Sequence, residues 1–208
     1  MATTNDPRPK EPWIKRQPPW PQRDGPFRFT IKQFYQLDDL GFFEDRHVEL
    51  IRGVIYEMTA KPIHTTSCEL SIEALRAVFG PGWYVRQAQG LDTGRHSLLE
   101  PDVAVVVGSI RDYTDAHPTT AALVIEVGDT TLRKDRTIKA HLYARAGIAD
   151  YWIINLVDRQ LEVHRVPGPD PARRGRFRYA EVTIVPEAGN MAPLAAPGSL
   201  IAVADLLP

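Results

Sequence analysis

The sequence holds a single cysteine, Cys68, in 208 residues, so no internal disulfide can form and a reducing compartment is the simplest setting. It contains no apolar run near the roughly 20 residues that span a bilayer. Its first residues, MATTNDPRPKEPW, lack the apolar stretch of a signal peptide. A cytoplasmic protein with no membrane partner is expected. An excess of one charge is missing too, since 25 Lys and Arg face 26 Asp and Glu for a net charge of -1. The whole molecule is therefore not an electrostatic nucleic-acid binder, and contact with a polyanion must come from a local patch. The six histidines show no short zinc-ligand pairing, which argues against a zinc site. No GxGxxG or GxxxxGK(S/T) loop and no GxSxG elbow appears, which argues against a dinucleotide fold, a P-loop enzyme and a serine-hydrolase elbow.

What is present reads as an ordinary globular chain, 43% hydrophobic and 25% charged. A domain of this size buries about 70% of the surface its unfolded chain exposes and needs no staple. Residues 1–26 carry seven of the 18 prolines and read as a tail; residues 27–208 read as one domain with a core over about 47–166. Two local basic patches stand out: Arg133, Lys134, Arg136 and Lys139, then Arg173, Arg174, Arg176 and Arg178. Either is equally well a solvated surface.

Thr30 and Gln33 have capping-box spacing ahead of Ile31, Phe34 and Leu37, which predicts a first helix ending at Gly41. HVELIRGVIYEM reads as a hairpin turning on Arg52-Gly53. Thr66 and Glu69 repeat the capping-box spacing and predict a second helix over about 67–79, with Cys68, Ile72, Leu75 and Phe79 on its core face. Cys68 is thus expected to be a small core residue. WYVRQAQ is a strand, and PDVAVVV and ALVIEV are strands apolar enough to be buried on both faces. A helix over about 132–146 follows, stopped by Gly147, with Asp135, Lys139 and Tyr143 in one row. DYWIINL and QLEVHRV come next, the latter expected as a half-exposed outer strand because Leu161 and Val163 alternate with Glu162 and His164. A further strand near 177–185 and a tail close the chain. The order gives an α/β core with a mixed sheet.

An acid inside an aliphatic strand is costly unless its charge is compensated. Asp102 opens PDVAVVV, and Glu126 sits within LVIEV. Adjacent strands lie about 4.8 Å apart, so with matched register the two carboxylates converge on one hard divalent cation. Such an ion polarises a phosphoryl oxygen and activates water. The plain alternative is that Asp102 caps a turn while Glu126 pairs with an arginine. Lys139, on the following helix, can return over the end of the Glu126 strand and stabilise charge on a phosphate. Asp135, one turn earlier, either holds that lysine or forms a plain helix-surface ion pair with it.

The run from His47 to Arg165 resembles the Uma family of putative restriction endonucleases, within the PD-(D/E)xK nuclease superfamily. The stretches that carry the resemblance are VELIRGVIYEM, KPIH, EPDVAVV, LVIEVGDTTLRKDRTIKAHLYARAGIADYWIINL and LEVHR. It implies a restriction-endonuclease-like core, a mixed central sheet flanked by helices, with an N-terminal helix and hairpin and a C-terminal antiparallel extension added here. It also implies a nuclease that uses Mg2+ or Mn2+ on nucleic acid, foremost DNA. Asp102 and Glu126 then take the metal-binding places. The strand lysine of the pattern falls at position 128, which is Gly128, so its role passes to Lys139. Glu49 and His64 also match family positions, as an additional acid near the metal and as a phosphate or water contact; a hairpin salt bridge and a loop cap are the equal alternatives. A non-catalytic binding or oligomeric protein on the same scaffold is the competing reading. A homodimer would let two sites address both strands of a duplex, with the hairpin of QLEVHRV and FRYAEVTIV as one candidate interface.

Overall fold

In a computed structural model, residues 25–208 are described, so the proline-rich stretch up to residue 24 lies outside the described residues. Helix α1 (Ile31–Asp39) starts at the expected capping box: the Gln33 N–H donates to Thr30 Oγ1, and the Thr30 N–H donates back to Gln33 Oε1. Strands β1 (Val48–Ile51) and β2 (Val54–Glu57) form the expected antiparallel hairpin. Its turn puts Arg52 and Gly53 at φ 51° and 76°, a region that favours glycine. Gly53 meets a second demand, because a Cβ there would lie 2.7 Å from the Arg28 Cβ. The chain at Phe29 crosses at that point, its N–H donating to the Gly53 carbonyl at 3.0 Å.

Helix α2 (Pro62–Val78) starts five residues before the expected position. Proline at the first helical position is pre-set in φ and lacks only a donor that would go unused, so Pro62 sets the start. The apparent capping box is not formed; the Thr66 hydroxyl donates to the Pro62 carbonyl inside the helix. The earlier start places His64 in the first turn. The expected face, Cys68, Ile72, Leu75 and Phe79, is buried as read.

The main sheet joins β3 (Trp83–Gln87), β6 (Val103–Val107), β7 (Leu123–Gly128), β8 (Asp150–Asn155), β9 (Gln160–Pro169) and β10 (Phe177–Pro186), in the order β10-β9-β8-β7-β6-β3. The β7–β8 pair is parallel and every other pair antiparallel, which makes the sheet mixed. Two short strands, β4 (Leu91–Asp92) and β5 (Leu98–Leu99), pair with the N-terminal hairpin in a second sheet. The extension ends in β11 (Asn190–Met191) and β12 (Ile201–Ala202). Val103, Val105, Ile125 and Trp152 pack toward α2, while Ala104, Val124, Tyr151 and Ile153 pack on the opposite face. That opposite face is covered by α3 (Leu132–Lys134), a π-helical turn over Asp135–Lys139, and α4 (Ala140–Arg145).

Strand β9 departs from its expected exposure: Glu162 and His164 are 3% and 7% exposed. The reason is β10, which pairs along the length of β9 and becomes the edge strand in its place. Glu162 is buried beneath the Arg136 guanidinium, which donates to both its oxygens, and it also accepts from Asn155 Nδ2 at 2.9 Å. Burial alone would raise this carboxyl, but the His164 ring, the Arg136 fork and the Asn155 amide outweigh it and hold the group at about 2. A depressed acid stabilises the fold above its unfolded value of 4.5 and loses that contribution as pH falls toward 2. Arg136 is 40% exposed, so solvent screening reduces the effect. Glu162→Gln is expected to cost about 2 kcal/mol at neutral pH and progressively less in acid. Urea melts of both proteins across that range check it, and a deficit independent of pH would show that the ion pair is not its source.

Candidate active site

The register of β6 on β7 sets Val103 opposite Ile125, and the next step along the pair brings Asp102 beside Glu126. Both carboxylates border one cavity of about 260 Å3, together with His64, Asp135 and Lys139. Asp102 lies one residue before β6 and is 21% exposed. Its Oδ2 accepts from the Val127 N–H at 2.7 Å and meets His64 Nε2 at 3.1 Å. Burial opposes ionisation of Asp102, yet the His64 hydrogen bond, the Lys139 charge and the Val127 N–H hold its carboxyl below the usual value.

Glu126 is inside β7 and almost fully buried. It takes hydrogen bonds from Tyr143 Oη at 2.5 Å and Lys139 Nζ at 2.8 Å, so both its oxygens are oriented by the helix that follows it. Burial pushes its carboxyl well up, and Lys139 offsets only part of this. Lys139 Nζ also lies 3.5 Å from Glu49 Oε2, an oxygen with no hydrogen-bond partner among the described residues. The other Glu49 oxygen accepts from Lys134 Nζ at 2.9 Å. Burial works against the Lys139 charge, but Glu126, Glu49, Asp102 and Asp135 together raise its pKa.

Local sequence explains how the helix reaches the strand. In the π-helical turn the Ala140 N–H donates to the Asp135 carbonyl five residues back, and such turns recur at functional sites. Asp135, Lys139 and Tyr143 are all buried, as their common row implies. Asp135 neither binds Lys139 directly nor lies on the surface; its carboxylate accepts from Thr131 Oγ1 at 2.7 Å, and burial raises it. At position 128 a side chain would have little room. A Cβ on Gly128 would lie 2.5 Å from Leu132 Cδ2 and 3.3 Å from Asp135 Oδ2. The ammonium beside Glu126 is that of Lys139 on the helix.

All six residues singled out from the sequence gather here: Asp102, Glu126, Lys139, Glu49, His64 and Asp135. Sequence reading missed the roles of Tyr143, Lys134, and the pair of Glu100 with His47, whose carboxylate and ring meet at 2.5 Å at the cavity rim. Tyr143 had a signal, being four residues beyond Lys139 in the same row. Glu100, next to Pro101, had none.

Two donor sets could hold a metal. His64, Cys68 and Asp102 have donor atoms within 4.8 Å of one another. Burial raises the Cys68 thiol, however, which disfavours the thiolate that a metal needs. The carboxylate set fits better. Four acids, Asp102, Glu126, Glu49 and Asp135, surround two ammonium groups, Lys134 and Lys139, and one Glu49 oxygen is left without a donor. These carboxylates are hard oxygen donors, the kind that suit Mg2+ or Mn2+.

Comparison with known proteins agrees with this fold. A family model described as "Uma2: Putative restriction endonuclease" matches residues 31–203. A crystal structure described as a putative nuclease belonging to DUF820, from Anabaena variabilis, is 15% identical. The similarity covers 86% of this chain and 97% of that one, with a TM-score of 0.63. No match was found among curated proteins. No helix among the described residues is long and apolar enough to cross a membrane.

Proposed function

Because the chain belongs to the Uma2 putative restriction endonuclease family, we propose that it hydrolyses nucleic-acid phosphodiesters with a divalent metal ion. The observation that carries this reading is the convergence of Asp102, Glu126 and Lys139 on one solvent-connected cavity. Asp102 and Glu126 would hold Mg2+ or Mn2+. Such an ion, when bound, polarises a phosphoryl oxygen and lowers the pKa of an attacking water. Lys139 places a positive charge beside Glu126, where it stabilises the negative charge that grows on the phosphoryl group. Tyr143 fixes the orientation of Glu126, and His64 that of Asp102. Glu49 anchors Lys134 by a hydrogen bond and keeps a second carboxylate close to Lys139.

The purified protein is expected to nick plasmid DNA with Mg2+ or Mn2+ and to stop on addition of EDTA. Cleavage that persists in EDTA, or none with either ion, would overturn the assignment. One observation favours a second reading, a binding protein without turnover: both Glu126 oxygens are already engaged, by Tyr143 and Lys139. That reading expects nucleic-acid association with no metal-dependent hydrolysis.

A further inference from the structure

The two basic stretches of the sequence do not act as units. Arg136 pairs with Glu162, Lys139 is buried in the acid cavity, and Arg178 faces Asp170. Arg133 and Lys134 instead meet Arg173 and Arg176 across an open groove of about 850 Å3, with Arg52 from the hairpin turn between β1 and β2. A second basin of about 470 Å3 continues it, sharing Arg52, His141 and Arg176 and adding Arg28, Arg95 and Arg145. Seven arginines and Lys134 thus line one continuous channel whose single carboxylate is Asp170. None of the seven has a carboxylate partner among the described residues.

Arg136, Arg159 and Arg165 each hold a carboxylate, whereas the guanidinium groups of the groove face one another across it. Left together they repel one another. After burial, the charges that most disfavour a proton on Arg52 are Arg176, Arg145 and Arg28. His141, on the groove wall, is likewise lowered by burial and then by Arg52, Arg176 and Arg145. Its Nδ1 accepts from the Phe177 N–H at 2.9 Å, tying α4 to the start of β10 and keeping the two walls together. Such a field is relieved by an anion that follows its length.

The position of the groove selects the anion. Thr130, Thr131 and Lys134 border both it and the carboxylate cavity, so the groove adjoins the hollow that Asp102 and Glu126 line. The geometry points to this groove as the track for the phosphodiester backbone of a nucleic acid, with Arg52, Arg145 and Arg176 gripping phosphates beyond the one presented to the carboxylates. It rests on the nuclease reading above and adds to it the surface on which the polymer lies.

The test uses the full chain and the Arg145→Glu/Arg176→Glu variant, two exposed positions outside the acid cavity. A fluorescent DNA duplex and an RNA duplex of equal length are titrated in EDTA over a series of salt concentrations; the tighter of the two names the nucleic acid. The variant is expected to bind that duplex at least about thirtyfold more weakly, with the slope of log affinity against log salt reduced by about two. Its metal-dependent hydrolysis of a chromogenic nitrophenyl nucleotide diester, too short to reach the groove, should match the wild type. Unchanged duplex affinity and slope would overturn the track. So would a poly-glutamate peptide that binds as tightly as the duplex and is weakened equally, since it would assign the groove to an acidic protein. Absence of diester hydrolysis by the wild type would instead count against the nuclease reading and leave the binding result to decide the groove.

Discussion

Asp102→Asn is expected to keep the fold and to lose metal-dependent hydrolysis by about a thousandfold, the scale of removing one principal electrostatic group from a catalytic site. The amide oxygen of asparagine can still accept from the Val127 N–H, so the backbone donor that Asp102 now satisfies at 2.7 Å does not become an orphan. Alanine at the same position would leave that donor unpaired at a cost of about 1–3 kcal/mol, which makes asparagine the cleaner substitution. What asparagine removes is a full negative charge at the end of β6. Calorimetric titration with Mn2+ should show weakened binding, while the thermal midpoint without metal stays close to wild type. Hydrolysis at the wild-type rate would remove Asp102 from the site.

Lys139→Met is expected to lower stability by about 3–5 kcal/mol, because it strands buried acids that have lost their ammonium partner. For a domain of this size that is a fall of about 10 °C in the thermal midpoint. The burial figures explain the scale: the side chains of Lys139, Glu126 and Glu49 are 5%, 3% and 0% exposed, so water does not replace the lost charge. Methionine fills much the same volume, which keeps the effect electrostatic rather than steric. Mg2+ or Mn2+ should restore a larger part of the midpoint in the variant than it adds to the wild type, since an ion that binds only the folded state stabilises it by mass action. A variant as stable as wild type would contradict the buried network, and a destabilised variant indifferent to both ions would contradict a metal site at these acids.

The acids within the aliphatic strands were readable because charge among Val and Ile has few reasons to be there. Their register was not readable: apolar strands can be neighbours in several alignments, and only the β6–β7 pairing sets Asp102 beside Glu126. Lys139 and Asp135 followed from helical spacing. Glu49 came only from resemblance: it lies 77 residues before Glu126 on a separate sheet, and no local pattern links the two. The start of α2 was misread because Thr66 and Glu69 imitate a cap, whereas Pro62 fixes the backbone earlier. Strand β9 was misread because alternation reports polarity, not what covers it; β10 and Arg136 bury its polar side. The basic groove was invisible for the same long-range reason, as Arg28, Arg52, Arg133 and Arg176 meet only after the hairpin, the helix and the β9–β10 loop are assembled.

The π-helical turn at Asp135–Lys139 has a rotational consequence. Each residue of an α-helix turns the chain by about 100°, so the spare residue resets the azimuth of everything beyond it. Before it, Arg133 borders the groove; at its last residue and beyond, Lys139 and Tyr143 reach inward to Glu126 on the strand. One continuous rod thereby serves two compass bearings.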